Sequence, residues 1–304
     1  MSSEPFTLSE ITVVRPRKVR AFSLLELMVV VSIIGLLAAI SVPAIKGMSQ
    51  RKTLSSGHQQ LTDDLNRARQ EALRMRTTVY VVFAPTNIWL AGPSLEQQLN
   101  SMVANSTALG RFRQQAMRTF TNIALGAFHT YALLVEREVG AQPGRHFTRY
   151  LGPGWQQLPD GVILSPRLFN GSPQVQAGDR TSHVIHELPQ RNFSFPVAEF
   201  ASDTLPPIAM RFVAFGPDGR LAVDEMNRAW IQNNQRTDLT LQPLSEIALA
   251  VAQGSVFIAR TAQGTIDGTI PPDLVETPRD NATNNRVIIS SLTGRSRILK
   301  IAIP

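Results

Sequence analysis

The chain has 304 residues, 43% of them hydrophobic and 17% charged, with a formal net charge of +7. So low a charged fraction excludes a disordered acidic or basic tail protein, and the length beyond the first fifty residues allows one sizeable domain or two small ones. There is no cysteine, which excludes a disulfide framework, a zinc–thiolate site and a thiol nucleophile and leaves the core alone to stabilise the fold.

Residues 1–21 read as a cytoplasmic leader, because Arg15, Arg17, Lys18 and Arg20 precede an apolar run and hold the N-terminus inside. Phe6-Thr7-Leu8-Ser9-Glu10 has a similar beginning, but the basic cluster interrupts it at once. Leu27 to Ile40 contains one polar residue, Ser32, and one helix-weakening residue, Gly35. A helix over residues 22–45 is long enough to cross a hydrocarbon core of ~30 Å. Glu26 stands at its front edge, where an unpaired acid costs roughly 2.5–3.5 kcal/mol inside the core. It therefore either reaches to the interface or takes a positive partner. Cleavage after the small residue Ala21 would free an α-amino group on Phe22. Glu26 of one subunit could then neutralise the amine of its neighbour, a role in assembly rather than catalysis. An ordinary signal peptide ending near Ser41 is the alternative, and the acid at Glu26 tells against it.

Pro43 should loosen the helix. Over 46–76 the pattern becomes amphipathic: Leu54, His58, Leu61, Leu65, Ala68, Ala72 and Met75 recur every three or four residues, with Asp63, Asp64, Arg67 and Glu71 between them. Together the two segments make one helix of roughly 50 residues. From Thr77 to Phe83 the residues turn β-branched and aromatic, which predicts a strand. Residues 77–304 read as a β-rich domain in which Ser94 to Thr119 is helical or loose; the family resemblance drawn below makes 92–128 an insertion. Further strands are expected at Tyr131–Val135, Val162–Leu164 and Ile208–Phe215. The last should form a hairpin with Leu221–Val223 through Gly216-Pro217-Asp218-Gly219. Residues 225–243 read as loop or a short helix. Ile247–Val251 and Ser255–Arg260 should form a hairpin across Gln253-Gly254. Pro271–Asn285 reads as a polar loop, and Arg286–Ser290 and Arg295–Ile303 as a last hairpin turning at Thr293-Gly294.

Candidate chemistry is sparse. His183, His186 and Glu187 lie close together, but in the order H-x-x-H-E rather than the helical zinc pattern, and solvated loop residues are the better reading. His58 reads as a packing residue. Asp267, Asp273, Glu276 and Asp280 match no defined calcium loop. Arg295 and Arg297 share one side of a strand near Lys300 and could contact two phosphates. A plain β-turn with a solvated charged face is favoured, because phosphate contact needs a wider basic patch. No enzyme, cofactor or metal is expected.

Arg20-Ala21-Phe22-Ser23-Leu24-Leu25-Glu26-Leu27 followed by the apolar helix resembles the class III signal of type IV pilins and type II secretion pseudopilins. That resemblance implies cleavage before Phe22 by a prepilin peptidase, N-methylation of Phe22, and Glu26 as the assembly carboxylate. The family prefers Gly where this chain has Ala21. Short stretches at 77–84, 155–164, 211–219 and 286–299 resemble the GspH/FimT subgroup, and the overall plan resembles a Verrucomicrobia-type cassette protein D. The implied fold is α+β and pilin-like: a long N-terminal transmembrane-plus-amphipathic helix packed on a mostly antiparallel β domain. The implied function is that of a minor pseudopilin in an inner-membrane filament, with a periplasmic globular domain and partners in the peptidase, other pilin-like subunits and membrane lipid. A similar Gly-Arg-x-Arg stretch in DNA-uptake pilins makes a DNA-binding minor pilin the second reading; an exported enzyme is the third.

Overall fold

The computed structural model describes residues 24–86, 107–136, 149–152, 154–169, 187–194, 207–232, 245–264, 270–277 and 285–300, with a few single positions besides. The chain divides into two compact units, Met1–Met48 and Ser49–Pro304. Helix α1 (Leu24–Met75) begins in the first and ends in the second.

In the second unit, α1 buries the stripe that its periodicity announces. Leu61, Leu65, Ala68 and Ala72 are fully buried, and Leu54 and Met75 pack at the margins. Burying one such leucine contributes ~1.5–3 kcal/mol relative to exposure. Gly57, which weakens a helix in isolation, has a packing role here. A Cβ on it would lie 2.7 Å from Val162 Cγ1, so glycine lets α1 approach the next strand layer closely.

Two antiparallel sheets share this core. The first has six strands in the order β3-β2-β1-β7-β6, with β4 also pairing β2. Its centre is β1 (Val79–Phe83), flanked by β2 (Thr130–Val135) and β7 (Ile208–Phe215). Every residue of β1 and β2 is buried, which explains why both read as unbroken apolar runs rather than alternations. The short strands β3 (Arg149–Tyr150), β4 (Gln156–Gln157) and β6 (Gln190–Phe193) complete this sheet. Helix α2 (Thr107–Leu125) adds Phe112, Ala116, Phe120, Ile123 and Ala124 to the core. Of the segment Ser94 to Thr119, expected to be helical or loose, the part from Thr107 is a packed helix that continues to Leu125, and most of 94–106 lies outside the described residues.

The second sheet has five strands in the order β11-β10-β8-β5, with β9 also pairing β8. Strand β8 (Glu246–Phe257) is its backbone: it pairs in succession with β10 (Asn285–Ser290), β5 (Val162–Leu164) and β9 (Asp273–Glu276). This corrects two expectations. Gln253-Gly254 is not a turn: the strand runs straight through it. A Cβ on Gly254 would meet Val275 O at 2.5 Å, so the glycine permits close strand approach. The segment from Pro271 to Asn285 likewise contains a strand, β9. A third correction concerns Val223, which starts α3 (Val223–Gln232) rather than a return strand. The expected hairpin shrinks to one bridge, Phe215 to Leu221. Asp224 and Glu225 occupy the first turn of α3, where acids favour the helix dipole, and Met226, Ala229 and Trp230 face the core. The final hairpin, β10 with β11 (Ser296–Lys300), turns as expected.

Polar contacts tie the layers together. Tyr131 Oη donates to Asp64 Oδ2 at 2.5 Å, and Gln60 Nε2 reaches Tyr131 Oη and the Gln157 carbonyl, joining α1 to the first sheet. Arg191 on β6 pairs with Glu136 at 2.9 Å and Glu225 at 2.8 Å, and also donates to Tyr80 Oη. Burial opposes the Arg191 charge, but Glu136, Tyr80 and Glu225 outweigh it and raise its pKa. Burial, reinforced by the bond to Glu225, pushes the Tyr80 phenol above its ordinary range, so it stays a donor.

Candidate functional site

In the first unit, α1 opens with Leu24 and places Glu26 in its first turn. Carboxylates are favoured there by the unsatisfied N–H groups of a helix start. From Leu24 to Leu37 every described position is exposed, including Leu24, Leu25, Leu27, Met28, Ile33, Ile34, Leu36 and Leu37. An isolated soluble domain has no use for so large a contiguous apolar surface. The one hydroxyl within it is satisfied internally: Ser32 Oγ donates to Met28 O at 2.8 Å. A helix of this kind presents lipid or a neighbouring helix with apolar atoms alone, apart from the carboxylate at its start. Ala21 and Phe22 lie outside the described residues, as does the whole of the expected leader. No helix is long and apolar enough to cross a membrane among the described residues.

The second candidate is the β10–β11 turn. Gly294 takes φ +64°, and its Cβ position is occupied by the Gly219 carbonyl of the neighbouring turn. Arg69 of α1 holds both turns, its Nε donating to Gly219 O at 3.1 Å and Thr293 O at 2.7 Å. Ser296 is fastened to the same helix, by N–H to Asn66 Oδ1 and by Oγ to Thr62 O. Arg295 is exposed beside this clasp. Arg297 is also largely exposed but pairs with Glu246 at 2.9 Å, which offsets its charge. Lys300 ends β11 opposite Asn285, at a position of the other parity from Arg297. The structure adds a cation that is distant in sequence. Arg220, exposed and 3.6 Å from Asp218, follows Gly219 directly. Leu292 is 72% exposed at the turn itself. Arg220 had no local signal; only the contact between two remote turns brings it here.

His183 and His186 lie outside the described residues. Glu187 forms an ion pair with Arg211, whose guanidinium also donates to the carbonyls of Leu188 and Phe169. Among the described residues no group of three His, Asp or Glu could hold a metal ion. His58 is buried in the α1 stripe with Nδ1 2.7 Å from Leu54 O, in keeping with a packing role.

Residues 16–42 match the prokaryotic N-terminal methylation motif. The matched stretch contains Arg17, Lys18 and Arg20 of the basic cluster, Ala21-Phe22, Glu26 and the described apolar surface of α1. It supports a type IV pilin-like protein, processed by prepilin peptidase and assembled with other pilin-like subunits. No curated protein and no solved structure matches the chain.

Proposed function

We propose that the chain is a minor pseudopilin or pilin-like subunit of the GspH/FimT kind, anchored by its N-terminal helix in the inner membrane as part of a filament. The observation that carries this reading is the coincidence of the methylation motif with an acid in the first helical turn and an unbroken apolar surface behind it. The apolar side chains from Leu24 onward serve as anchor and helix-packing surface. Glu26 accepts the charge of a neighbour's methylated Phe22 amine, because an acid at membrane depth is costly unless it is paired. The leader, residues 1–21, lies on the cytoplasmic side, and the β domain, on the periplasmic side, supplies contacts to other subunits or to a client. The role is structural rather than catalytic.

The test is a Glu26→Leu chain expressed with its partner subunits. Membrane insertion should persist and co-assembly should be lost; undiminished co-assembly would refute the role given to Glu26.

The second reading is a DNA-binding minor pilin. It is supported by the meeting of Gly219 with Gly294, each followed directly by an exposed arginine, Arg220 and Arg295. The pairing of Arg297 with Glu246 weighs against it.

A further inference from the structure

One face of the second sheet lines the core and then continues out of it. Leu249 and Val251 of β8 belong to the main core, as do Val162 and Leu164 of β5. Val251 stands opposite Leu164 and Gln253 opposite Val162, and directly opposed residues share a face. Ser255 and Phe257 carry the same face onward into solvent. Strand β9 widens it. Thr277 N–H donates to the Gln253 carbonyl at 3.0 Å, and Val275 lies opposite Ser255.

Helix α1 borders this face. Gly57 lies against Val162, and Thr53, about one helical turn earlier, lies beside Gln253 and Ser255. The Asp160-Gly161 turn that leads into β5 supplies a further wall. The result is a groove of about 370 Å³ lined by Thr53, Asp160, Gly161, Gln253, Ser255 and Thr277. Its size suits a small ligand. Gly161 has φ +80° and nothing within 4 Å of its Cβ position, so it adds no side chain to narrow the mouth.

The lining decides the class of ligand. Among the described residues it carries three hydroxyls, one carboxamide and one carboxylate, and no cation. Hydroxyls and a carboxamide both donate and accept, and a carboxylate accepts at two oxygens. A phosphate would meet Asp160 with no arginine or lysine to hold it. An apolar ligand would strip these groups of water without replacing its hydrogen bonds. A simple amine would engage Asp160 and leave the rest unused. A neutral polyhydroxylated ligand engages them all. Phe257, 58% exposed, adds a flat apolar platform two positions beyond Ser255. The negative face of such a ring attracts the polarised C–H side of a sugar. From Gln253 to Phe257 the face runs about 13 Å at roughly 3.3 Å per residue, the length of a short oligosaccharide.

We propose that this groove binds a neutral glycan. Asp160, Gln253, Ser255 and Thr277 take its hydroxyls, and Phe257 stacks on a ring further along. The site is separate from Glu26 and from the basic turn, and it does not depend on the filament reading.

The test is calorimetric titration of the full chain, in a detergent without a sugar headgroup, with maltotriose, cellotriose and chitotriose. At least one of these neutral probes should bind. Asp160→Ala and Phe257→Ala should each weaken that binding about tenfold, the size of a lost hydrogen bond to a charged group or a lost ring contact. Ser255→Trp, at an exposed position, should abolish it by filling the groove. Thermal unfolding of each variant checks that the fold persists. Binding of none of the three probes overturns the proposal. So does binding that Asp160→Ala and Ser255→Trp both leave unchanged, or affinity for spermidine in place of the sugars, which would make Asp160 a site for cations.

Discussion

Gly294 and Gly219 meet backbone to backbone: a Cβ added to Gly294 would stand 2.0 Å from the Gly219 carbonyl oxygen. The contact unites two turns remote in sequence and lets Arg69 hold both from α1. Gly294→Ala must therefore both adopt a left-handed φ and open the contact, and should cost about 2 kcal/mol or more. Gly264 provides the control. It has φ +80° but nothing within 4 Å of its Cβ position, so Gly264→Ala should cost only the conformational part, roughly 1 kcal/mol. Urea unfolding of the detergent-solubilised chain compares the two, and equal losses would refute the steric argument.

The bond from Tyr131 to Asp64 fixes the first sheet on α1. Tyr131→Phe removes the donor and leaves the carboxylate facing an apolar edge, at a cost of about 1–3 kcal/mol. Leu65→Ala on the same helix face should cost more, roughly 2–5 kcal/mol, because the site is fully buried and a cavity remains. Thermal midpoints in the reverse order would mean that the helix is held by its polar contacts more than by its stripe.

Burial lowers the pKa of His129, although its bond to Ala127 O and the charge of Asp160 act the other way. The unfolded chain therefore takes up a proton at a pH where the folded chain does not. His129 costs no stability above about pH 6.5, and destabilises the fold progressively as pH falls below it. His129→Gln should flatten the stability profile below pH 6.5; an unchanged slope would contradict this.

Arg295→Ala with Arg297→Ala separates the two readings of the basic turn. On the structural reading, any DNA affinity of the chain is weak and indifferent to the pair. On the nucleic-acid reading, affinity falls on mutation and the salt dependence becomes shallower. The measurement is DNA binding across a salt series, before and after substitution.

Local periodicity carried much of the fold. The stripe Leu61, Leu65, Ala68 and Ala72 was legible because helical spacing alone decides which face is buried, and β7 was legible because Gly216-Pro217 closes an apolar run at Phe215. Gly254 misled because a glycine that permits close packing looks the same as one that makes a turn. Val223 misled because Leu221-Ala222-Val223 after the Gly216-Pro217-Asp218-Gly219 turn resembles a returning strand until Met226, Ala229 and Trp230 are counted at helical spacing. In the candidate site, Glu26 stood out because one acid at the head of an apolar run has few explanations. The pairing of Arg297 with Glu246 and the meeting of Gly219 with Gly294 were invisible, since nothing local encodes a contact between distant turns.

In the proposed function Phe22 begins the mature chain and Glu26 answers its amine. Mass spectrometry of the mature N-terminus, from cells containing a prepilin peptidase, tests it most directly. The mature chain should begin at methylated Phe22; one beginning near Ser41, as an ordinary signal peptide would leave it, would refute the assignment.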